Sequence, residues 1–501
     1  MATEALKELK CSVAMLGEPQ WNAPRANFLD RKRNATRRIV QASRSMRRRD
    51  FLTLFGVTLM GCISSSCGDT AQENGSPSPK KRLVVIGAGL AGLAAARELH
   101  GQGHEVVVIE ARERIGGRVW TSTQWADMPL DLGATWIHGV RGNPLTDLAD
   151  EIQARRLVTS YDRSIAYDAS GQPLSAAAEA RMEELRGQVF RALEEAQERD
   201  TDTSIRQAIE PLMQQFDESS QAYRFINYIL NSEIEHEYSG SVARLSAQWY
   251  DSDKAFEGDE VLFAQGFRAI ADFLARELHI ELDQVVQAIH WDRSPVRVMT
   301  QKSEFAADGV VVTLPLGVLQ AKRVHFVPEL PSDKQNAIAQ LGMGVLNKCY
   351  LRFPTAFWPA DVDWLTHISA NRGEWTEWVS FKRIADMPIL LGFNAADWGR
   401  EIEAWSDRQI IASAMQTLRT IFGAGIPEPI DYQITRWATD PFSLGSYSYN
   451  AVDATPNLRE VLAAPLNDRV FFAGEASERD YFGTTHGAYL SGLRAAKEIL
   501  S

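Results

Sequence analysis

The sequence is poor in cysteine, with four cysteines among 501 residues. Cys11, Cys62 and Cys67 lie in the first eighty positions, so Cys349 is the only cysteine of the remaining chain. One thiol cannot build a disulfide framework or a cysteine-based metal cluster. We therefore expect no metal site of this kind and expect Cys349 to behave as a buried small hydrophobic residue.

The chain also lacks an excess of basic residues. Its formal net charge is −12; residues 1–61 carry +7, so the remainder carries −19. An acidic body argues against nucleic-acid binding and favours cationic ligands, although it equally serves solubility. The uncharged apolar run at residues 51–61 is too short to cross a bilayer as a helix, so no transmembrane span is expected.

The first 79 residues have the composition of an address and a linker. Residues 47–49 are arginines, the apolar run follows, and a Ser/Gly/Pro-rich stretch extends to Pro79. This order is typical of a secretory signal, and Arg48-Arg49 resembles a twin-arginine signal. Residues 59–62, L-M-G-C, resemble a bacterial lipoprotein cleavage site with Cys62 as a possible lipid anchor. We predict an exported bacterial protein, periplasmic or membrane-anchored, with translation starting at Met46 or Met1.

A glycine motif begins the folded part of the chain. Residues 87–92 read G-A-G-L-A-G, between an apolar run at 83–86 and a helical pattern at 90–100. At such a strand-to-helix turn, Gly87 permits the tight turn, Gly89 lets the backbone approach a pyrophosphate, and Gly92 lets the helix pack on the strand. The pattern predicts a dinucleotide-binding site at the helix N-terminus.

An acidic residue follows at the spacing that this motif requires. A second apolar run, residues 105–109, ends at Glu110, 18 positions after Gly92. A carboxylate here would bind the adenosine ribose hydroxyls and would repel a 2′-phosphate, which disfavours NADP.

Three further blocks of the sequence are I-G-G-R at 115–118, D-L-G-A-T-W-I-H-G at 131–139 and A-G-E at 473–475. They resemble the flavin-dependent amine oxidase family and, within it, the polyamine (spermine/spermidine) oxidase branch. Other matching blocks lie at 142–144, 313–319, 347–348, 440–441, 445–449 and 484–488, so the resemblance covers about Lys81 to Ser501. It implies an α/β fold in which an FAD-binding Rossmann-like domain is assembled from separated segments, with an inserted α+β substrate domain.

The resemblance implies these boundaries: 1–79 extension, signal and linker; 80–143, 260–342 and 464–501 FAD-binding domain; 144–259 and 343–463 substrate domain. The residue pattern is helical between 143 and 259 and predicts a helix from Gly266 to Leu278. Strand-like runs around 285–286, 296–299 and 309–313 are expected to return to the dinucleotide sheet. The stretch containing Trp358, Trp364, Trp375 and Trp378 predicts antiparallel sheet, and residues 470–500 predict a closing strand and helix.

The family resemblance also implies the cofactor-binding residues. Glu475 would bind the ribityl chain of FAD, a contact that NAD cannot use. Because Ser446 stands where some relatives carry a cysteine bonded to the flavin, FAD is expected to be held noncovalently. The full predicted set is Gly87, Gly89, Gly92, Glu110, Arg112, Gly117, Arg118, Gly133, Ala134, Thr135, Val286, Trp437, Gly474, Glu475 and Thr485.

The same resemblance assigns the residues that act on the substrate. Lys348 would hold a water beside the flavin ring, and Tyr447 would face the flavin. His138 would contact substrate nitrogens and, with Lys348 and Tyr447, completes the predicted catalytic set. The predicted substrate-binding residues are Trp136, His138, Glu237, Tyr447 and Thr484.

The predicted reaction is hydride removal from the carbon next to an amine nitrogen of spermine, spermidine or their acetylated forms, with O2 as acceptor and H2O2 as product. A monoamine oxidase is the first alternative. An L-amino-acid oxidase would need an arginine that this chain lacks after Gly133-Ala134. A histone-demethylase-like role would need a long coiled-coil insertion and nuclear location, which the export signal contradicts. A flavoprotein dehydrogenase or polyamine-binding carrier that does not use O2 also stays open, and the oligomeric state is unknown.

Overall fold

The structure is a computed structural model, and it describes residues 80–501. The predicted signal, Cys62 and Met46 lie outside these residues. Within residues 80–501, no helix is long and apolar enough to cross a membrane. Cys349 is buried, as expected from the sequence.

A five-stranded parallel sheet, here called the dinucleotide sheet, carries the glycine motif. Its strands are apolar almost throughout because helices or other layers cover both faces. In spatial order they are Val470–Phe472, Gly309–Val312, Arg82–Ile86, Glu105–Ile109 and His279–Glu281. Three separated parts of the chain therefore build one sheet.

Two helices cover one face of this sheet and pack against each other. They are Leu90–Gly101 and Thr485–Leu500, the latter at the C-terminal end of the chain. Gly492 allows the close approach, because a Cβ there would lie 2.1 Å from the carbonyl oxygen of Ala91. The first and last segments of the described chain are thereby held together around one buried core.

The helix predicted from Gly266 to Leu278 is shorter in the structure. It spans Arg268–Leu274. Gly266 has a φ of +86° and Glu277 a φ of +65°, and neither conformation continues a right-handed helix. Backbone geometry at both ends therefore overrides the apolar pattern.

The prediction that three strand-like runs return to the dinucleotide sheet is wrong for two of them. Only Gly309–Val312 joins it. The other two belong to a separate four-stranded sheet made of Glu304–Ala307, Val296–Thr300, Val286–His290 and His325–Val327. Local antiparallel pairing, with a register shift between Val286 and Ala288, keeps them out of the parallel sheet.

A six-stranded sheet, here called the substrate sheet, and a group of helices form the other half. The sheet consists of Asp431–Ile434, Leu346–Arg352, Ile389–Ala395, Glu377–Ser380, Trp364–His367 and Ser164–Tyr167. Trp364 and Trp378 lie in its strands, whereas Trp358 and Trp375 lie outside them. Trp375 has a φ of +48°, a conformation that does not belong to a strand. The helices of this half include Ala176–Gln197, Ile205–Met213 and Gln221–Ile229, and the last continues as a π-helix over Leu230–Glu235.

The remaining elements connect these layers. The helices are Pro144–Glu151, His236–Tyr238, Leu316–Gln320, Ser332–Gln340, Phe381–Ala385, Ala396–Ile402, Asp407–Phe422, Asn457–Ala463 and the 3-10 turn Glu475–Ser477. The strands are Thr121–Ser122, Leu130–Asp131, Trp136–His138, Arg156–Thr159, Glu260–Phe263, Gly342–Met343 and Ser448–Tyr449. The domain boundaries proposed from the sequence stay predictions.

Candidate active site

The glycine motif forms a turn that only small residues allow. Gly87 has a φ of +102°, and a Cβ on Gly92 would lie 1.9 Å from the carbonyl oxygen of Gly87. Gly89 precedes the helix and no side chain caps the helix N-terminus there. Its first amides therefore remain available to an anion such as a pyrophosphate.

Glu110 lies at the end of the second strand and is buried. Its two carboxylate oxygens accept hydrogen bonds from the backbone amides of Ala88 (2.8 Å) and Arg112 (2.9 Å). Burial raises the pKa of Glu110, and these hydrogen bonds oppose the rise. The carboxylate therefore ties the glycine turn to the end of the second strand. Its predicted contact with a ribose stays a prediction.

The two predicted arginines are both held by carboxylates from distant parts of the chain. Arg112 donates to both oxygens of Asp440, at 2.6 and 2.9 Å. Arg118 donates to Glu475 at 2.7 Å and to the carbonyl oxygen of Ser446 at 2.9 Å.

Glu475 is buried and receives several donors. Besides Arg118, it accepts hydrogen bonds from the Ser448 hydroxyl (2.6 Å) and the Gly483 amide (3.0 Å). Burial would raise the pKa of Glu475, but the charge of Arg118 and these hydrogen bonds hold it below its usual range. Sequence reasoning missed Arg459, which is fully buried behind Glu475 and donates to Ser448 at 2.8 Å.

Lys348 lies within the strand Leu346–Arg352, and its side chain is buried. Its ammonium nitrogen donates to the carbonyl oxygens of Asp131 (2.9 Å) and Gly133 (2.6 Å) and to the hydroxyl of Thr135. Burial lowers the pKa of Lys348. A lysine on the protein surface, the alternative role for this residue type, is therefore excluded.

Asp131 was missed by the sequence analysis as a site residue. Its carboxylate is buried and accepts hydrogen bonds from the Phe267 amide (2.9 Å) and the Thr121 hydroxyl (2.5 Å). Burial raises the pKa of Asp131, and the charge of nearby Lys348 opposes the rise. A buried aspartate directly before a predicted cofactor block was the signal that could have identified it.

Trp136 lies beside Lys348 and belongs to a group of four aromatic side chains in contact with one another, here called the aromatic wall: Trp136, Tyr161, Trp364 and Phe393. Lys348 Nζ lies 5.7 Å from the Trp136 ring centre, and Trp136 lies 6.0 Å from Trp364 and 6.3 Å from Phe393. Tyr161 stacks on Trp364 at 4.1 Å. The charges of Glu377, Glu237 and Glu260 act on Tyr161, whose pKa is raised first by burial and then by these carboxylates. Of the wall residues, only Trp136 was predicted from the sequence as a site residue.

The other predicted substrate residues occupy different surroundings. Tyr447 is partly buried and donates a 2.5 Å hydrogen bond to the carbonyl oxygen of His236. Thr484 caps the last helix, accepting from the Gly487 amide at 2.9 Å, and Thr485 is the first residue of that helix. Ser446 exchanges hydrogen bonds with the backbone of Leu346, at 2.8 and 3.1 Å.

His138 and Glu237 lie toward solvent. The side chain of His138 is 50% exposed, and its Nδ1 lies 2.5 Å from Glu260. Glu237 is exposed, in the short helix after the π-helix. Their roles in substrate binding stay predictions.

Two further predicted cofactor residues are buried. Val286 begins a strand of the four-stranded sheet. Trp437 donates to the carbonyl oxygen of Leu132 at 3.2 Å and packs edge-on against Trp120 at 6.2 Å. The roles of Val286 and Trp437 in cofactor binding stay predictions.

These residues fit FAD. Gly133 passes so close to the chain that a Cβ would lie 1.8 Å from the carbonyl oxygen of Arg118, and Ala134 follows with its amide bonded to the same oxygen at 3.2 Å. Gly474 has a φ of +124° and open space where a Cβ would stand. A small pocket lies beside it, with Arg118, Leu314, Pro315 and Glu475 among its lining residues. An open helix N-terminus, two arginines and two buried carboxylates match the phosphate and hydroxyl groups of such a dinucleotide.

Comparison with known proteins identifies the family. The family model of flavin containing amine oxidoreductase matches residues 90–500, and that of pyridine nucleotide-disulphide oxidoreductase matches residues 39–133. Polyamine oxidase 2 of Arabidopsis thaliana is 33% identical, with 87% of this chain and 90% of that protein covered. Lysine-specific histone demethylase 1 homolog 3 of Oryza sativa subsp. japonica is 34% identical, with 84% and 54% covered. The chain thus spans about half the length of that demethylase.

A likeness to solved structures supports the fold. Wild-type putrescine oxidase bound to putrescine superposes with a TM-score of 0.69 at 19% identity, covering 84% of this chain and 99% of that one. The predicted fold class, an FAD-binding Rossmann-like domain from separated segments with an inserted substrate domain, is confirmed.

The predicted bacterial export is contradicted by these comparisons. Similar curated proteins come from Arabidopsis thaliana and Oryza sativa, which points to a eukaryotic protein rather than a bacterial exported lipoprotein. The prediction depended on a short basic and apolar pattern near Arg48 and Cys62. A pattern of this kind is defined by composition and does not depend on how a fold packs, so composition alone did not distinguish a signal from another N-terminal sequence. The chain belongs to the family of flavin containing amine oxidoreductases, resembles its polyamine oxidase branch, and uses FAD.

Proposed function

We propose that this protein is an FAD-dependent polyamine oxidase that acts on spermine, spermidine or their acetylated forms. The carbon next to a secondary or primary amine would lose a hydride, and water would hydrolyse the resulting imine to an aldehyde plus a shorter amine from a secondary amine, or plus ammonia from a primary amine. The observation that supports this proposal best is the aromatic wall, which has the buried Lys348 beside Trp136 and has the carboxylates of Glu377 and Glu260 near enough to act on Tyr161.

The wall suits an amine that must lose its proton before oxidation. Apolar surroundings disfavour an ammonium ion, so an amine nitrogen against Trp136 and Phe393 would be favoured as the free base. The carboxylates of Glu377 and Glu260 would instead favour the charged form of a nitrogen farther along the same molecule. A substrate with several nitrogens satisfies both conditions at once.

FAD, when bound, accepts the hydride and passes two electrons to O2, giving H2O2. Arg118, Glu475 and the open helix N-terminus after Gly89 would hold it. Attachment would be noncovalent, since Ser446 offers a hydroxyl that is already bonded to Leu346. Lys348 would hold a water molecule beside the reacting atoms once one of its three N–H donors is released from the oxygen atoms of Asp131, Gly133 and Thr135 that it contacts in the structure.

The test is anaerobic mixing of the purified FAD-loaded protein with single amines. Spermine, spermidine, N-acetylated spermine, putrescine, tyramine and tryptophan form the panel, and the flavin absorbance is followed. We expect polyamines to bleach the flavin, and readmitted O2 to restore the absorbance with release of peroxide. Bleaching by tyramine or tryptophan alone would favour a monoamine or amino-acid oxidase. Reduction without reoxidation by O2 would favour a dehydrogenase, and a flavin that no amine reduces would refute the proposal.

A second candidate function comes from the relatives named as lysine-specific histone demethylases, at 33–34% identity. The argument from export against this role no longer holds. Among residues 80–501 the longest helix is Ala176–Gln197, so the long coiled coil expected for such a role is absent from this part of the chain. A histone H3 tail peptide with a methylated lysine belongs in the same assay. Loss of 14 Da from the peptide, read by mass spectrometry, would favour this candidate.

A further inference from the structure

His236 occupies a position on the aromatic wall that the predicted site did not include. Its ring centre lies 6.0 Å from that of Phe393, and its carbonyl oxygen accepts the hydroxyl of Tyr447. Its side chain is 9% exposed. A polar ring is therefore buried beside a residue of the wall, and the backbone of the same residue binds the aromatic residue predicted to face the flavin.

The neighbouring carboxylate defines which ring nitrogen carries a proton. His236 Nδ1 lies 3.0 Å from Glu377 Oε2. An ionised carboxylate only accepts hydrogen bonds, so Nδ1 is the donor. In the neutral ring, Nε2 then presents a lone pair.

Nε2 has no hydrogen-bond partner among residues 80–501. Leaving a buried polar atom without a partner is destabilising, and a ligand that supplies the partner removes that cost. A group with an N–H is what this atom requires.

The local helix geometry places His236 here. It directly follows the π-helix Leu230–Glu235, and such insertions occur frequently at functional sites because they re-aim the side chains that follow. The π-helix is fixed from inside: Asn231 donates to Glu235 at 2.9 Å and accepts from Thr376 at 2.7 Å. The position of His236 is thus held by a buried network rather than by solvent.

A second buried histidine shows that an unpartnered nitrogen is not sufficient evidence. His367 has no partner at either ring nitrogen among the described residues. His367 follows Thr366 in the strand Trp364–His367, so the two side chains lie on opposite faces of the sheet. The hydroxyl of Thr366 lies 3.5 Å from that of Tyr228, which also contacts Glu377. The side chain of His367 is therefore on the face away from these groups. Of these two histidines, only His236 combines a nitrogen that has no partner among residues 80–501 with a hydrogen bond to Glu377 and a ring contact to the aromatic wall.

We infer that His236, oriented by Glu377, is a substrate-binding residue that accepts a hydrogen bond from a second, non-reacting nitrogen of a substrate with more than one amine nitrogen. This inference rests on the proposed function. It makes His236 a determinant of preference for polyamines over monoamines, since a monoamine has no second nitrogen to offer.

The test compares two substrates and three variants of the FAD-loaded protein. Spermidine is paired with N-propylbutan-1-amine, which is the same chain without its terminal amino groups. Binding to the dithionite-reduced holoprotein is measured by calorimetry under argon, and KM and kcat are measured in air. His236→Leu removes the acceptor, His236→Gln replaces it with an amide oxygen, and His367→Leu is the matched buried-histidine control.

We expect His236→Leu to weaken spermidine binding and to raise its KM about 10- to 100-fold, as for a lost hydrogen bond to a charged group, with kcat changed less. Binding of the monoamine should change by less than about threefold, His236→Gln should recover part of the spermidine affinity, and His367→Leu should leave both unchanged.

If spermidine reduces the wild-type flavin, unchanged spermidine binding in His236→Leu, or equal losses of affinity for both amines, would overturn this inference and leave the proposed function standing. A wild-type flavin that no amine reduces would refute the proposed function itself. If His236→Leu does not fold, spermidine affinity in His236→Gln and in Glu377→Gln decides the matter, since the inference requires both to bind it more weakly than the wild type.

Discussion

The dinucleotide-binding region and the aromatic wall satisfy their polar groups in different ways. In the first, Arg118 and Arg112 are already paired with Glu475 and Asp440, and each oxygen of Glu110 accepts one backbone amide. In the second, Lys348 is also paired, with its ammonium on two carbonyl oxygens and a hydroxyl, but His236 keeps a ring nitrogen that has no partner among residues 80–501. The first region is organised before a ligand arrives, whereas the second contains one buried group, His236 Nε2, that the proposed substrate would complete. Substitutions in the first should damage folding and cofactor retention, and those in the second should damage chemistry and specificity.

The largest effect is expected from Gly92→Val in the dinucleotide-binding region. The added side chain would meet the carbonyl oxygen of Gly87 at 1.9 Å, so the turn must open at a cost above about 4 kcal/mol. Soluble yield and flavin content per protein should fall to near zero. Gly101→Ala, at the end of the same helix with no atom within 4 Å, should change the free energy of unfolding by less than about 1 kcal/mol. A yellow, stable Gly92→Val protein would contradict the required close approach.

Lys348→Met tests the chemistry beside the aromatic wall. We expect flavin reoxidation or imine hydrolysis to slow about 100-fold or more, while FAD stays bound, because the group proposed to hold the water is gone. Rapid mixing under argon and then with O2 separates the two half-reactions. The matched control is Lys334→Met, a buried lysine whose ammonium donates to three carbonyl oxygens far from the wall. It should lower stability and leave both rates unchanged, and equal effects of the two variants would remove the special role of Lys348.

Glu475→Gln probes the same contrast through pH. The pKa of Glu475 is held below its usual value, so its stabilising contribution is present above about pH 4.3 and is lost as pH falls through the folded-state value. At neutral pH the variant should lose about 1.5–3 kcal/mol of stability and bind FAD more weakly.

The wild-type and Glu475→Gln melting temperatures should converge as pH falls below about 4, as thermal unfolding across pH would show. The control is Glu460→Gln, which removes an exposed partner of Arg479 and should be near neutral at every pH. A constant gap between wild type and Glu475→Gln down to low pH would show that Glu475 is not ionised in the folded protein.

His138→Ala is expected to have the smallest effect. Its side chain is half exposed and paired with Glu260 at the surface, and such pairs contribute at most about 1 kcal/mol. Spermidine kcat/KM should therefore fall by about fivefold or less. A loss of 100-fold would instead place His138 against the substrate, as the family resemblance predicts.

Local sequence features are sufficient to identify the dinucleotide-binding region. These features are the glycine positions, the apolar strands around them and the carboxylate after the second strand. A turn with positive φ restricts the residues that can occupy it, and so does a strand that is buried on both faces. Residues 83–92 and Glu110 could therefore be assigned from the residue pattern alone, and the resemblance added FAD and the discontinuous domain. The export prediction failed because it depended on composition without any such restriction.

The partners of the functional side chains, in contrast, are set by the tertiary structure. The ammonium of Lys348 is held by Gly133, 215 positions away, and His236 is oriented by Glu377, 141 positions away. The runs near 286 and 296 form their own sheet, and Thr484 caps the last helix. Local periodicity shows which residues are buried in a helix or strand, but side-chain contacts between distant segments depend on how sheets and helices pack, and no local pattern specifies that packing.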